Sequence, residues 1–257
     1  MDSILFKEQD NVAIITLNRP EKFNAFNRAM ALKLQEVLKE CDHERIRCVL
    51  ITGSGKAFSA GQDLGEVTGE SAIDFNKILS EHYNPVIRLI RTLEKPVVAA
   101  VNGIAAGAGA NIALCCDVVV AASSASFLQA FSKIGLIPDS SGTYFLPRLI
   151  GFQKASALMM LGEKISANEA EKLGMIYKAL DDQDFQDAAL KIAIQLASMP
   201  TRGLALTKRA LNDSMSATLE QQLAKEDELQ ALASKTYDYN EGVNAFIQKR
   251  NPEFKGK

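Results

Sequence analysis

The chain predicts an α/β protein made of stacked turns of strand, small-residue loop and helix, followed by an all-helical C-terminal region. Three observations carry this. The apolar runs Cys48-Val49-Leu50-Ile51, Pro96-Val97-Val98-Ala99-Ala100-Val101 and Val118-Val119-Val120 read as short buried strands. The order strand, small-residue loop, helix recurs from Arg47, Pro96 and Asp117 as an irregular internal repeat. Beyond Pro200 only helical patterns occur.

The elements follow in order. Ile4-Leu5-Phe6 and Val12 to Leu17 flank a polar turn at Asp10-Asn11, which predicts a hairpin, and Arg19-Pro20 ends it. Met30, Leu34, Val37, Leu38 and Cys41 recur at helical spacing over 28–41, feeding the strand at Cys48. A Gly- and Ser-rich loop is expected from Ala57 to Leu64. Ile73, Ile78, Val86, Ile87, Leu89 and Ile90 predict helix over 71–94, interrupted at His82-Tyr83-Asn84-Pro85, because proline disfavours helix at the residue before it. After the strand at Pro96 comes a small-residue turn and a helix through Ile112 to Asp117. Helices are expected over 153–161, 166–173 and 184–198, the second opening on a Ser166/Glu169 capping box. Segments 203–212, 217–233 and 239–250 are helical. The organisation expected is an α/β core over 1–195 and a helical oligomerisation region over 196–257, with no linker between them.

Composition narrows the function classes. With 257 residues, 47% hydrophobic and 23% charged, the chain has the make-up of a globular protein. A net charge of −2 gives no field that would gather nucleic acid, and no basic stripe suggests it locally. Cys41, Cys48, Cys115 and Cys116 lack CxxC spacing and only His43 and His82 could add imidazoles, so no metal site is expected. Cys115 and Cys116 read as core thiols of a reducing compartment. Without a leader pattern or an apolar run of membrane-spanning length, a cytoplasmic location is expected.

Two phosphate-binding motifs fail on inspection. Gly53-Ser54-Gly55-Lys56 is followed by Ala57 where a phosphate loop needs Ser or Thr, and Ile112 takes the third glycine position after Gly107-Ala108-Gly109. No histidine is nominated as the base for a serine nucleophile. What remains is a pair of small-residue loops, Ser59-Ala60-Gly61-Gln62-Asp63 and Gly107-Ala108-Gly109-Ala110. Their lack of bulk serves either close packing or approach of a ligand to backbone N–H groups that could hold an oxyanion. In GLIPDSSG, Asp139 has two readings as well: the cap of a following helix, or a proton-transferring carboxylate.

The segments TLNRPEKFNAFN, AFSAGQDL, PVVAAVNGIAAGAGANIALCCDVVVAA, GLIPDSSGTYFLPRLIG and ISANEAEKLGMI, spread nearly end to end, resemble the successive signatures of the crotonase, or enoyl-CoA hydratase/isomerase, superfamily. The resemblance implies a crotonase-like spiral of ββα turns with a C-terminal helical trimerisation region, and acyl-CoA thioester substrates. It implies that the N–H groups of Gln62 and Ala108 hold the thioester oxygen. The two water-activating glutamates of hydratases are matched here by Asn111 and Phe131, which leaves Asp139 as the one acid placed to move a proton. Its apolar surroundings, Phe131, Leu136 and Ile137, are expected to raise its proton affinity. Ser141 stands where much of the superfamily has glycine.

By the same resemblance Lys22, Asn24 and Ala25 border the CoA nucleotide. Ala60, Asp63 and Leu64 form the adenine and pantetheine wall, Lys249 reaches in from the last helix, and His82 and Tyr83 line a mobile lid. His43 reads as surface. AFSKIGLIPD, HYNP and YNEGVNAFIQKRNPEFKGK resemble the branch that isomerises ring-epoxide and unsaturated acyl-CoAs. The alternatives are a straight-chain Δ3-to-Δ2 enoyl-CoA isomerase, a hydratase, and a CoA-ester-binding scaffold without catalysis. No cofactor is expected beyond the CoA of the substrate. A homotrimer or dimer of trimers is expected, with Val243, Phe246 and Ile247 offered to a partner.

Overall fold

A computed structural model of the chain describes residues 2–68 and 74–257. Strands β1 (Ile4–Gln9) and β2 (Val12–Leu17) form the expected hairpin, turning at Asp10 and Asn11, both with positive φ. That two-residue turn matches the twist of the strands it joins. Helix α1 (Arg28–Glu40) starts at Asn27, whose side chain accepts from the Met30 amide, and buries Met30, Leu34, Val37 and Leu38. β3 (Cys48–Gly53) is followed by β4 (Ala57–Ser59), where the sequence predicts a loop. Three buried residues are too few to display a two-residue period.

The next helical segment does not break where Pro85 predicts. Helix α2 (Phe75–Lys77) widens into a π turn over Ile78–Tyr83 and continues as α3 (Asn84–Thr92), with the Asn84 amide donating to Leu79 O. Gln35 Nε2 donates to Glu81 O (2.7 Å) and His82 O (3.2 Å), so the widened turn keeps its carbonyls satisfied. Ile73 lies outside the described residues.

β5 (Val97–Val101), β6 (Ile104–Ala106), α4 (Ala108–Leu114), β7 (Val118–Ala122) and β8 (Ser126–Leu128) complete two further turns. Helix α5 (Gly142–Ile150), hidden in the sequence by its internal Pro147, precedes α6 (Phe152–Leu161), β9 (Lys164–Ser166), α7 (Ala167–Lys172) and β10 (Lys178–Leu180). The Ser166/Glu169 capping box is formed. Beyond β10 every described element is a helix: α8 (Phe185–Ser198), α9 (Thr201–Ser214), α10 (Leu219–Ala233) and α11 (Tyr237–Gln248). Residue 195, the expected boundary, falls inside α8.

Each turn gives one strand to each of two sheets. The larger has the order β1-β2-β3-β5-β7-β10, parallel except for the first pair, and the smaller the order β4-β6-β8-β9, parallel except for the last. The core is mostly Val, Ile, Leu and Ala, with Phe, Met and Tyr among them and all four cysteines buried in it as free thiols. Burial pushes Cys41 and Cys48 up to about 12, so these thiols stay protonated. No described helix is long and apolar enough to cross a membrane.

Two partly buried charges bind the helical region to the spiral. Asp117 Oδ1 accepts from Arg91 (2.9 Å), while Oδ2 accepts from Lys208 Nζ of α9 (2.8 Å) and from the Val97 amide that opens β5 (2.8 Å). Arg47, before β3, donates to Met199 O (2.7 Å), Thr201 Oγ1 (2.9 Å) and Phe254 O (3.0 Å). Removing one partner of a buried ionic group strands the others. Asp117→Ala is therefore expected to lower the free energy of unfolding by about 3–5 kcal/mol, measured by urea denaturation.

Candidate active site

The two small-residue loops meet. After β4, Phe26 N donates to Gly61 O (2.7 Å) and Asp63 N to Phe26 O (2.8 Å), so Gln62 is bracketed and its own amide faces the opposite side. Gly107, at φ +52, sets Ala108 as the first residue of α4, where no helical acceptor is available to its N–H. A Cβ on Gly61 would lie 2.9 Å from Ala106 O and 3.3 Å from Ala108 N. Among the described residues, neither the Gln62 nor the Ala108 amide finds a protein acceptor. Ser59 stiffens the first loop, donating to Asn24 O (2.8 Å) and accepting from Gly61 N (3.2 Å).

Asp139 stands on a wound loop whose backbone is tied to Asn111 of α4. Ser140 and Ser141 both have positive φ, +49 and +65, and the latter value shows why glycine suits position 141. The carboxylate does not cap α5: Ser141 is the N-cap residue, and the first turn is closed by backbone carbonyls, with Gly142 N donating to Asp139 O (2.8 Å) and Phe145 N to Ser141 O (3.0 Å). Oδ1 accepts from Ser140 Oγ (2.8 Å). Burial raises the proton affinity of Asp139, opposed by that hydroxyl, and the net direction is up. Ile137 is not the cause, since it is 79% exposed. A cavity of about 330 Å³, lined by Leu79, Asn84, Leu136, Ile137 and Asp139 among others, opens beside the carboxylate.

The positions matched to hydratase glutamates are close by and carry no charge. Asn111, 1% exposed, donates from Nδ2 to Asp139 O (2.8 Å) and accepts at Oδ1 from Gln129 Nε2 (2.7 Å). Gly142 is what lets that amide lie against α5. The Phe131 ring reaches 3.7 Å from where a Gly107 Cβ would stand, so it walls the second loop. Gln129 and Ser140 escape the sequence reading: Gln129 lies in no motif, whereas Ser140 is signalled only by its adjacency to Asp139.

Tyr83 and His82, expected to line a mobile lid, lie in the interior. Both are 1% exposed. Tyr83 packs edge-on against Phe26, and its hydroxyl donates to Gln62 Oε1 (2.8 Å). His82 Nε2 lies 3.2 Å from an Arg28 guanidinium nitrogen, and burial lowers its pKa. His43 is exposed as expected.

The residues expected to meet CoA divide into two groups. Asn24 is fully buried and spent on the loop, donating to Ser54 O (2.9 Å) and Ala57 O (2.7 Å) and accepting from Arg19 N (2.8 Å). Asp63 pairs with Arg19 (2.9 Å) and accepts from Gly65 N, while Ala25 is buried with its carbonyl on Arg19. Lys22, Ala60 and Leu64 are exposed on the outer side of this loop. Lys249 is exposed at the C-terminal end of α11, and no hydrogen bond ties its side chain to the site residues.

Residues 7–257 match the family model described as enoyl-CoA hydratase/isomerase, and the chain belongs to that family. It is 47% identical, over the full length of both chains, to an Escherichia coli protein named 1,2-epoxyphenylacetyl-CoA isomerase. It is 44% identical to a probable enoyl-CoA hydratase of Rhodobacter capsulatus, covering 99% of this chain and 98% of the relative. A putative enoyl-CoA hydratase/isomerase from Mycobacterium abscessus superposes with a TM-score of 0.93 at 34% identity, over 99% of this chain and all of the other. The crotonase fold is thereby established.

The raised pKa of Asp139 has a sign that stability measurements can read. The folded state holds this proton more tightly than the unfolded chain does, so stability falls as pH rises from the ordinary value of 3.8 through the raised one. At neutral pH Asp139→Asn, which removes the buried charge, is expected to unfold at higher urea than the wild type, with the gap closing below pH 4.

Proposed function

We propose that the protein is an acyl-CoA isomerase, moving double bonds in unsaturated acyl-CoAs and converting ring-epoxide phenylacetyl-CoA to its oxepin isomer. The observation that carries this reading is one partly buried carboxylate, Asp139, together with two backbone amides, of Gln62 and Ala108, that have no protein acceptor among the described residues, and with Asn111 and Phe131 where water-activating acids would be needed. The isomerase name and 47% identity of the Escherichia coli relative support it.

In the proposed double-bond migration the thioester oxygen sits between the Gln62 and Ala108 N–H groups. Asp139 takes a proton from the acyl chain, charge moves onto the thioester oxygen, and the two donors stabilise the resulting enolate by about 3 kcal/mol or more. Asp139 then returns the proton at another carbon, so no atom is gained or lost. Neither a metal nor a redox cofactor is needed for this step. Lys22 and Lys249 are proposed to meet the CoA phosphates, with Ala60 and Leu64 along the pantetheine. The exposed face of Val243, Phe246 and Ile247 on α11 is proposed to pair subunits in a trimer or dimer of trimers.

Following double-bond migration in a 3-enoyl-CoA by ultraviolet absorbance tests the reading. Asp139→Asn is expected to lose about a hundred- to ten-thousandfold in kcat while binding the acyl-CoA as tightly, read by calorimetry. Turnover retained in the variant, or hydration of crotonyl-CoA as fast as isomerisation in the wild type, would overturn it.

A further inference from the structure

Tyr83, in the HYNP segment, touches the candidate site through Gln62. The π turn over Ile78–Tyr83 places an extra residue in the helix, and Gln35 satisfies the carbonyls this displaces. The phenol is thereby turned into the interior. Its ring lies 5.9 Å from the Phe26 ring, centroid to centroid, and its hydroxyl donates to Gln62 Oε1 at 2.8 Å. The other end of the same amide donates to Asp63 O and Glu66 Oε2, both at 3.2 Å. Phe26 is also the residue whose backbone brackets Gln62. One side chain thus steadies Gln62 twice, through the Phe26 bridge that flanks it and through its own amide.

We propose that Tyr83 is a positioning residue for the thioester oxygen: its hydroxyl fixes the Gln62 side chain, and with it the peptide whose N–H meets the developing charge. The inference rests on the oxyanion reading of Gln62 and Ala108 above. Donors of this kind outdo water only if they need no reorientation when charge appears. Burial, then the carboxylates of Asp139, Glu66 and Asp63, holds the phenol's pKa well above its ordinary value, so the hydroxyl remains a neutral donor.

Tyr83→Phe keeps the ring and its contact with Phe26 and removes only the hydroxyl. The probe is an arylacryloyl-CoA, whose absorption moves to the red when its thioester carbonyl is polarised. The wild type is expected to shift the probe, and Tyr83→Phe to bind it equally well with a smaller shift. In the 3-enoyl-CoA assay kcat is expected to fall about five- to tenfold with KM unchanged. Gln62→Ala is expected to lose a similar factor, and the double variant no more than the larger single loss. An undiminished red shift in Tyr83→Phe, or a loss confined to KM or to stability, overturns the inference. A wild-type protein that leaves the probe unshifted refutes the oxyanion reading itself, and the inference falls with it.

Discussion

Neighbouring turns of the spiral meet through bare backbone, and the site depends on that approach. A Cβ at Gly109 would lie 2.6 Å from Ser59 Cβ, and one at Gly61 2.9 Å from Ala106 O. No side-chain carbon occupies such space, so at these two positions the absence of volume decides the geometry. The amides of Gln62 and Ala108 belong to different turns and converge only because the turns stack without side chains between them. Asn24, Ser59 and the Phe26 bridge then hold the first loop in that register.

The acid is fixed by a complementary device. What holds Asp139 acts mostly on its backbone: Gly142 N and Asn111 Nδ2 both end on its carbonyl, and the two left-handed serines set its direction. Its carboxylate keeps a single side-chain partner, Ser140. A partly buried carboxylate with so little compensation costs stability at neutral pH. Asn111 belongs to this support through its bond to the Asp139 carbonyl, and Gln129 orients it in turn.

Most of the helices, the hairpin and the long strands are legible in the sequence because each exceeds one period of its pattern, whereas α5 is hidden by its internal Pro147. The three-residue strands β4, β6, β8, β9 and β10 are not legible either, since a buried strand that short looks like any apolar triplet. Pro85 misleads for a different reason: it predicts a break, and the helix answers by widening, with Gln35 on a distant helix supplying the missing donor. The same blindness hides Tyr83, which local sequence places in a polar break and tertiary packing buries. The small-residue loops and Asp139 are visible as candidates. Whether that carboxylate caps a helix or stands free depends on Ser141 and backbone carbonyls, which no pattern encodes.

Arg47 places a condition on the order of events during synthesis. Its guanidinium is made with the first spiral turn, yet its acceptors are Met199 O, Thr201 Oγ1 and Phe254 O. Until the chain reaches those residues the guanidinium lacks these acceptors, and the end of β3 at which it stands stays uncovered. A nascent chain on the ribosome can therefore wind its sheets early, while covering of that strand end waits until residue 254 has left the exit tunnel. A contact that belongs to the first turn is then among those that form late.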